Sequence, residues 1–200
     1  MLVLASASPR RQELLRTAGI SFIAQPANID ETSLPEEGPQ DCAQRLAREK
    51  ALAVWRTRPL DMVLGADTIV VIDEKILGKP TDAEDASRML RLLSGHVHQV
   101  ITGICLALPG QKEKVKTAVE TTLVTMNAIS EEEIREYVAT GDPMDKAGAY
   151  GIQGLAARWI PRIEGDYSNV VGLPLALVYR VLREQGAIDR GGIFRMDRMK

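Results

Sequence analysis

The hydrophobic pattern at the start of the chain predicts a strand followed by a helix. Residues 2–5 form a short apolar run, typical of a buried strand, and a polar stretch separates them from a helical pattern that ends at Thr17. Ser8 is suited to be the helix N-cap, Pro9 to be its first residue, and Gly19 to follow its end. This order of strand, polar loop and helix is typical of a turn that binds phosphate.

The next segments predict a long loop and an amphipathic helix. Residues 21–25 indicate a second strand, and residues 26–39 are polar and rich in Pro and Glu, which predicts a long loop of the kind that often carries function. Residues 41–56 have apolar positions at helical spacing and a charged opposite face that includes Arg45. We therefore expect a helix here with one face in the core.

The middle and the end of the chain alternate between strands and helices. Residues 62–72 and 76–78 predict two paired strands, with Asp67 inside the apolar run of the first. The further predicted elements are a helix over 82–93, strands over 98–108 and 115–126, a helix over 130–140 that begins with a capping box, and a helix over 174–184. Glycines recur between Gly141 and Gly172, which allows close approach of the backbone. We interpret residues 1–188 as one α/β domain with two lobes and residues 189–200 as a flexible C-terminal tail.

Composition excludes several classes of protein. The chain has 200 residues, 45% of them hydrophobic, and a formal net charge of −2, which is typical of a globular protein that needs no disulfide or structural metal. Only 4% of residues are aromatic, so we expect no nucleic-acid partner. The N-terminal apolar run is too short for a signal peptide or a membrane-spanning helix, and we expect a cytoplasmic protein without a membrane partner.

The cysteines and histidines are predicted to be structural. Cys42 and Cys105 lie in apolar segments and lack the spacing of a disulfide framework or a zinc site. His96 and His98 could face the same side of a strand and share a metal, but no third ligand is evident. A hydrogen-bonded structural histidine is therefore the favoured interpretation.

The first turn of the first predicted helix offers groups that bind phosphate. Ser6 and Ser8 supply hydroxyls, and Arg10 and Arg11 supply two guanidinium groups next to the helix N-terminus. From these residues alone, a solvated first turn without function is an equally good interpretation. Arginine is unfavourable beside the positive end of a helix, and an anionic ligand would offset that cost.

Asp67 is a carboxylate within an apolar strand, which is costly unless the charge is paired or binds a metal. A structural ion pair with an arginine is the alternative. Glu31 in the long loop could join Asp67 in binding Mg²⁺. Lys50 and Lys79 are candidates for contact with phosphate, although a solvated surface position is the commoner environment for any single lysine.

Five short motifs occur in an order that resembles the Maf family of nucleoside triphosphate pyrophosphatases. They are Ser6-Ala7-Ser8-Pro9-Arg10-Arg11, Gly65-Ala66-Asp67-Thr68, Gly78-Lys79-Pro80, residues 145–154, and Gly172-Leu173-Pro174. Each motif alone is weak evidence, whereas all five in this order are specific. The resemblance covers residues 1–188.

The resemblance implies a Maf/ITPase-like α/β fold, with an extended mixed sheet flanked by helices and two lobes around a cleft. It also implies a homodimer, a divalent cation such as Mg²⁺ or Mn²⁺, and hydrolysis of a nucleoside triphosphate to its monophosphate and pyrophosphate. The catalytic proton acceptor of the family falls on Asp67, with Glu31 on an acidic position that would share the metal. The family's polar and basic site positions fall on Ser6, Ser8, Arg11, Lys50 and Lys79.

The resemblance also implies a substrate class. The specificity positions of the family fall on Arg10, Thr68 and Gln153, and these residues match the branch that acts on dTTP and UTP, not the branch that acts on 7-methyl-GTP. Modified pyrimidine nucleotides are possible further substrates. Two alternatives stay open at this point: a nucleotide-binding regulator of septum formation without catalysis, and an enzyme that transfers phosphate and releases a diphosphate.

Overall fold

The computed structural model describes residues 1–110 and 114–188, and the predicted tail at 189–200 lies outside them. The strands are β1 (Leu2–Leu4), β2 (Ile23–Ala24), β3 (Met62–Ile72), β4 (Lys75–Leu77), β5 (Val97–Ala107), β6 (Val115–Thr125) and β7 (Arg162–Glu164). The α-helices are α1 (Pro9–Thr17), α2 (Pro39–Trp55), α3 (Ala83–Leu93), α4 (Glu131–Ala139), α5 (Tyr167–Val171) and α6 (Leu175–Glu184). Short 3₁₀ helices span Asp142–Asp145, Ala147–Ala149 and Leu155–Trp159.

The strands described form one mixed sheet with the order β2-β1-β3-β5-β6-β7, and β4 pairs with β3. β1 is parallel to both β2 and β3, whereas the pairs β3–β4 and β6–β7 are antiparallel. A parallel pair needs a crossover connection, and α1 and α2 lie in the segments that connect these parallel strands. The predicted α/β fold with a mixed sheet is confirmed.

The described chain divides into two compact units, and each unit consists of segments that are separated along the sequence. The first unit contains Met1–Asp67, Thr102–Glu120 and the described residues from Gly172 onward. The second unit contains Thr68–Ile101 and Thr121–Val171. The chain therefore leaves the first unit within β3, directly after Asp67.

The first unit buries both faces of its strands. Leu2 and Leu4 belong to one apolar cluster, and Val3 and Ala5 belong to another. Successive side chains of a strand point to opposite faces, so the continuous apolar run of β1 supplies both clusters. Nearly complete burial of such a run is the expected state of a strand in the centre of an α/β sheet, and it holds β1 rigidly below the turn that leads to α1.

The second unit is built around one apolar cluster that includes α3 and α4. It contains the edge-to-face pair of Tyr137 and Trp159, with ring centroids 5.3 Å apart. The buried side chain of Asn169 donates hydrogen bonds to the carbonyl of Val100 (2.9 Å) and the hydroxyl of Thr122 (3.0 Å), which ties α5 to the sheet.

The element boundaries agree closely with the sequence pattern. α2 begins at Pro39, two residues before its predicted start, because proline is well suited to the first helical position. The 3₁₀ helices, α5 and β7 were not predicted, since elements of three to five residues leave no clear periodicity. None of the helices among the described residues is long and apolar enough to cross a bilayer.

Candidate active site

The turn between β1 and α1 is organised by its two serines. Ser8 is the N-cap of α1, and its hydroxyl accepts a hydrogen bond from the amide of Arg11 at 3.4 Å. The hydroxyl of Ser6 accepts from the amide of Ser8 at 3.2 Å and from the guanidinium of Arg11 at 3.3 Å. The Ser8 hydroxyl therefore holds the backbone of the first turn, and the Ser6 hydroxyl holds the Arg11 side chain.

Arg11 is held by protein groups instead of extending into solvent, which disagrees with the interpretation of a purely solvated turn. Its Nε donates to the carbonyl of Gly172 at 2.8 Å, so the predicted motif at Gly172 meets the N-terminal motif here. Burial lowers the pKa of Arg11, and the carboxylates of Asp67 and Glu31 act in the opposite direction. An arginine in this setting stays protonated and presents a fixed positive charge.

Lys50 lies between the two predicted metal ligands. Its Nζ is 2.6 Å from Asp67 Oδ1 and 2.7 Å from Glu31 Oε1. The side chains of Lys50 and Asp67 are each 9% exposed, whereas that of Glu31 is 45% exposed. The structure thus shows how the chain can bury Asp67: its carboxylate pairs with a lysine on α2 and also attracts the charge of Arg11.

The close packing of α2 on β3 explains how this ion pair forms. A Cβ atom at Gly65 would lie 2.2 Å from the carbonyl oxygen of Ala47 and 2.7 Å from the amide of Ala51, so only glycine permits the observed approach. Asp67 is two residues beyond Gly65 and shares its face of the strand. The glycine therefore sets the distance between the helix that carries Lys50 and the strand that carries Asp67.

The loop that carries Glu31 is attached to α2 by Arg45. The Arg45 guanidinium makes a bidentate pair with Glu37, at 2.7 and 2.8 Å, and donates to the carbonyl of Thr32 at 3.1 Å. The hydrogen bonds from Arg45 lower the pKa of Glu37 to about 2. Sequence reasoning placed Arg45 on the charged face of its helix and missed this role. The only available signal was an arginine that follows an acidic loop.

The remaining predicted residues lie on both units. Arg10 is half-buried in the first turn of α1, and its charge lowers the pKa of the neighbouring Arg11. Thr68, Lys79 and Gln153 belong to the second unit. Thr68 is half-buried in β3, and Lys79 is exposed just after β4. Gln153 is exposed in a turn within the glycine-rich segment.

The glycine-rich segment is linked to the residue before Lys79. The amide of Gly148 donates to the carbonyl of Gly78 at 3.0 Å. Ala149 is buried and has φ of 60°, a left-handed conformation that is unfavourable for any residue with a Cβ atom. Strained backbone of this kind persists only where surrounding contacts enforce it, and it is commonest near functional sites.

The histidines agree with the structural interpretation. His98 is buried, and its Nε2 is 2.8 Å from the hydroxyl of Tyr150, whereas His96 is exposed. Burial lowers the pKa of His98 to about 4. Both cysteines are buried, and burial raises the pKa of Cys105 to about 12, so this thiol is protonated and unreactive near neutral pH.

Glu31 and Asp67 fit a divalent cation only together with a phosphate ligand. Within residues 1–110 and 114–188, no group of three or more His, Cys, Asp or Glu side chains could hold a metal ion. The two carboxylates nevertheless meet at the Lys50 ammonium, which shows that they can face a single positive charge. Mg²⁺ is usually bound by one or two carboxylates with water and substrate phosphates, and this donor set matches that pattern.

The chain is similar to proteins described as dTTP/UTP pyrophosphatases. It is 58% identical over 187 residues to the dTTP/UTP pyrophosphatase of Koribacter versatilis (strain Ellin345), which covers 94% of this chain and 95% of that protein. It is 54% identical to the dTTP/UTP pyrophosphatase of Geobacter sp. (strain M21), with 94% and 96% covered.

A solved structure of a nucleoside-triphosphatase / dITP/XTP pyrophosphatase from Mycobacterium abscessus is similar with a TM-score of 0.44 and 14% identity, over 92% of this chain and 94% of that one. The model of the Maf-like protein family matches residues 1–185. This match covers all five motifs that carried the resemblance, and the chain belongs to the Maf family.

Proposed function

We propose that this protein hydrolyses dTTP and UTP to the nucleoside monophosphate and pyrophosphate. The observation that carries the proposal is the buried Asp67 carboxylate. Its Oδ1 lies 2.6 Å from Nζ of Lys50, and it also interacts electrostatically with Arg11. Relatives that are 58% and 54% identical over nearly their whole length are named dTTP/UTP pyrophosphatases, which supports the same substrate class. A buried carboxylate beside Lys50 and Arg11 is our candidate proton acceptor, because these cations can bring a polyphosphate next to it.

The reaction needs little covalent chemistry from the protein. Water attacks the α-phosphorus, Asp67 accepts a proton from that water, and the bond to the β-phosphate oxygen breaks with release of pyrophosphate. Negative charge increases on the phosphoryl oxygens and on the leaving group. Arg11, Lys50 and Lys79 are the proposed groups that stabilise this charge, and Ser6 and Ser8 hold the turn that presents Arg11.

A divalent cation, Mg²⁺ or Mn²⁺, is part of the proposal. Glu31 and Asp67 would hold it, and when bound it neutralises charge on the substrate phosphates. The Lys50 ammonium contacts both carboxylates in the structure and compensates their charge. Arg45 contributes by holding the loop that carries Glu31 against α2.

Selectivity for pyrimidine bases is proposed to come from Arg10, Thr68 and Gln153. The amide of Gln153 both donates and accepts hydrogen bonds, which suits the carbonyl and N–H groups of uracil or thymine. Modified pyrimidine nucleotides with the same edge are proposed further substrates. A Gln153→Glu variant loses the donor, and we expect lower turnover of dTTP and UTP; unchanged selectivity would remove Gln153 from base recognition.

The experiment that tests the proposal is incubation with each common ribo- and deoxyribonucleoside triphosphate in Mg²⁺ or Mn²⁺, with products separated by chromatography. We expect monophosphate and pyrophosphate from dTTP and UTP. Release of a diphosphate would instead indicate phosphate transfer, and a preference for purines would contradict the assigned specificity residues. A folded protein that binds nucleotides without turnover would favour the regulatory alternative.

We further propose that the protein acts as a cytoplasmic homodimer, as the family resemblance implies. Sedimentation analysis of the purified chain measures the oligomeric state directly. A monomer at concentrations that support full activity would contradict the proposed homodimer without affecting the proposed reaction.

A further inference from the structure

Gln153 lies in a tight turn that has little rigidity of its own. The amide of Gly154 donates to the carbonyl of Gly151 at 3.1 Å, which closes a four-residue turn with Gln153 at its third position. Gln153 and Gly154 are exposed. Glycines at both ends add conformational freedom, so a side chain here can select a base only if neighbouring groups hold the turn.

Both ends of this turn rest on the same ion pair. A Cβ atom at Gly151 would lie 2.6 Å from Cε of Lys146, and one at Gly154 would lie 3.1 Å from Oδ2 of Asp142. Nζ of Lys146 is 3.0 Å from Oδ1 of Asp142. The backbone of the Gln153 turn therefore packs against the side chains of the Asp142–Lys146 ion pair.

The ion pair is in turn fixed to the core of the second unit. The hydroxyl of Tyr137 donates to Oδ2 of Asp142 at 2.8 Å, and the Tyr137 ring is fully buried against Trp159. Lys146 is only 12% exposed and also contacts the Asp145 carboxylate at 2.7 Å. A charged group that is mostly covered and has several partners is held more firmly than a lysine on an open surface.

The ionisation behaviour of Tyr137 is consistent with a contact to the turn itself. Burial raises the pKa of Tyr137, and the hydrogen bond to Asp142 raises it further. A hydrogen bond from the backbone of Gly151 acts in the opposite direction. The tyrosine hydroxyl thus makes hydrogen bonds both with Asp142 of the ion pair and with the backbone of Gly151 at the start of the turn.

We propose that Tyr137, Asp142 and Lys146 are positioning residues that hold Gln153 in place and thereby set the selectivity for the pyrimidine base. The inference rests on the proposed function, because it assigns Gln153 to base recognition. The three residues act through the turn and not on the reacting phosphate. Their removal should therefore affect substrates that have a base and leave a substrate without one unchanged.

The test compares dTTP with ribose 5-triphosphate, which has the same scissile phosphate chain but no base. Tyr137→Phe keeps the ring packed on Trp159 and removes the hydroxyl that holds Asp142. We expect kcat/KM for dTTP to fall about fivefold, mainly through KM, which is the size of one hydrogen bond. The value for ribose 5-triphosphate should not change. Tyr167→Phe removes an exposed hydroxyl elsewhere in the unit and serves as the matched control, with both substrates unaffected.

A double-mutant cycle shows whether Tyr137 acts through Gln153. In a Gln153→Ala background, Tyr137→Phe should cause no further loss with dTTP, because the side chain that it positions is already absent. Lys146→Met keeps an aliphatic stem below Gly151 and removes the charge, and it should give the same pattern. It also provides the test if Tyr137→Phe does not fold, as judged by thermal unfolding.

The outcomes separate this inference from the proposed function. Equal losses with dTTP and ribose 5-triphosphate, or additive losses in the cycle, would overturn the positioning role. Full dTTP selectivity in both Tyr137→Phe and Lys146→Met would overturn it as well. A wild-type protein that does not prefer dTTP or UTP over purine nucleotides would instead overturn the assigned substrate class, and the inference with it.

Discussion

The two units hold their candidate site residues by different means. In the first unit, Asp67 and Lys50 are charged side chains on a long strand and a long helix, and they neutralise each other in the interior. In the second unit, Gln153 is an uncharged side chain on an exposed turn, and the backbone of that turn packs against the side chains of Asp142 and Lys146.

The difference follows from what each group must do. Charges that act on phosphate are costly to bury, so they need rigid elements and partners close by. An amide that recognises a base needs correct placement but no charge compensation, so a supported turn is sufficient. The comparison predicts that damage in the first unit removes chemistry or stability, whereas damage below the turn changes selectivity. Four further predictions test these expectations.

The largest expected effect is the loss of chemistry in Asp67→Asn. The amide cannot accept the proton from water, and we expect turnover of dTTP to fall by about 10²–10⁴-fold, the usual contribution of a general base. Steady-state assays with a circular dichroism check of folding measure it. Asp73→Asn, at an exposed position after the same strand, should retain wild-type activity. Substantial turnover by Asp67→Asn would assign the proton acceptor to another group.

Gly65→Ala tests whether packing of α2 on β3 determines the site of the first unit. The added methyl group would meet backbone atoms of Ala47 and Ala51, which cannot rotate away. We expect the free energy of unfolding to fall by about 3 kcal/mol, at the upper end of the range for overpacking. Urea unfolding measures the change. Gly78→Ala is the control, because a Cβ atom there meets nothing within 4 Å, and an equal loss in both variants would contradict the packing argument.

The buried histidine of the second unit predicts a pH dependence of stability. Burial lowers the pKa of His98 to about 4 from the value of 6.5 expected in the unfolded chain. Between these values the unfolded chain binds a proton that the folded protein does not, so stability rises with pH. Lowering the pH from 7 to 5 should therefore decrease the free energy of unfolding by about 2 kcal/mol.

Urea unfolding of histidine variants at the two pH values isolates this contribution. His98→Gln should lose most of the decrease between pH 7 and pH 5, whereas exposed His96→Gln should keep it. The carboxylates of Glu37 and Glu133 have pKa values lowered to about 2, so their contributions are lost mainly below this range. A decrease that persists in His98→Gln would assign the pH dependence to another group.

The smallest expected effect comes from Arg45→Lys in the first unit. Lysine keeps the charge but cannot make the bidentate pair with Glu37 and the hydrogen bond to Thr32 at the same time. We expect a loss of stability of about 1 kcal/mol and a severalfold lower turnover, because the loop that carries Glu31 is held less firmly. In a carboxyl NMR titration, the pKa of Glu37 should rise from about 2 toward its ordinary value.

Arg88→Lys provides the comparison, since Arg88 pairs with Asp85 on the exposed surface of α3. It should change neither turnover nor the Glu37 titration. If Arg45→Lys behaved in the same way as Arg88→Lys, Arg45 would have no part in holding the loop.

The sequence allowed prediction of the elements that have local signals. Ser8 and Ser130 are the N-caps expected from their positions, and the capping box of Ser130 with Glu133 is present. Residues 62–72 form one strand with the predicted bounds. Caps and periodicity act over a few neighbouring residues, so a single sequence reveals them. The family was also predicted correctly, from five motifs in a specific order.

Contacts between distant residues had no such signal. Glu31, Lys50 and Asp67 are separated by 17 or more residues, and only the folded chain brings their charges together. The role of Arg45 was missed for the same reason. Tyr137, Asp142 and Lys146 lie close in sequence, but their spacing did not indicate that the Gln153 turn packs on them, because the short 3₁₀ helices from Asp142 to Ala149 have no clear periodic pattern.

The amino-acid sequence by itself determined the longer strands and helices and their order, the family, and the identity of the residues expected to act on a nucleotide. The tertiary structure decided which of those residues meet: it paired Asp67 with Lys50 and placed an ion pair below the turn of Gln153. Local preferences depend on neighbours along the chain, whereas burial, ion pairs and close backbone packing depend on segments that meet only after folding.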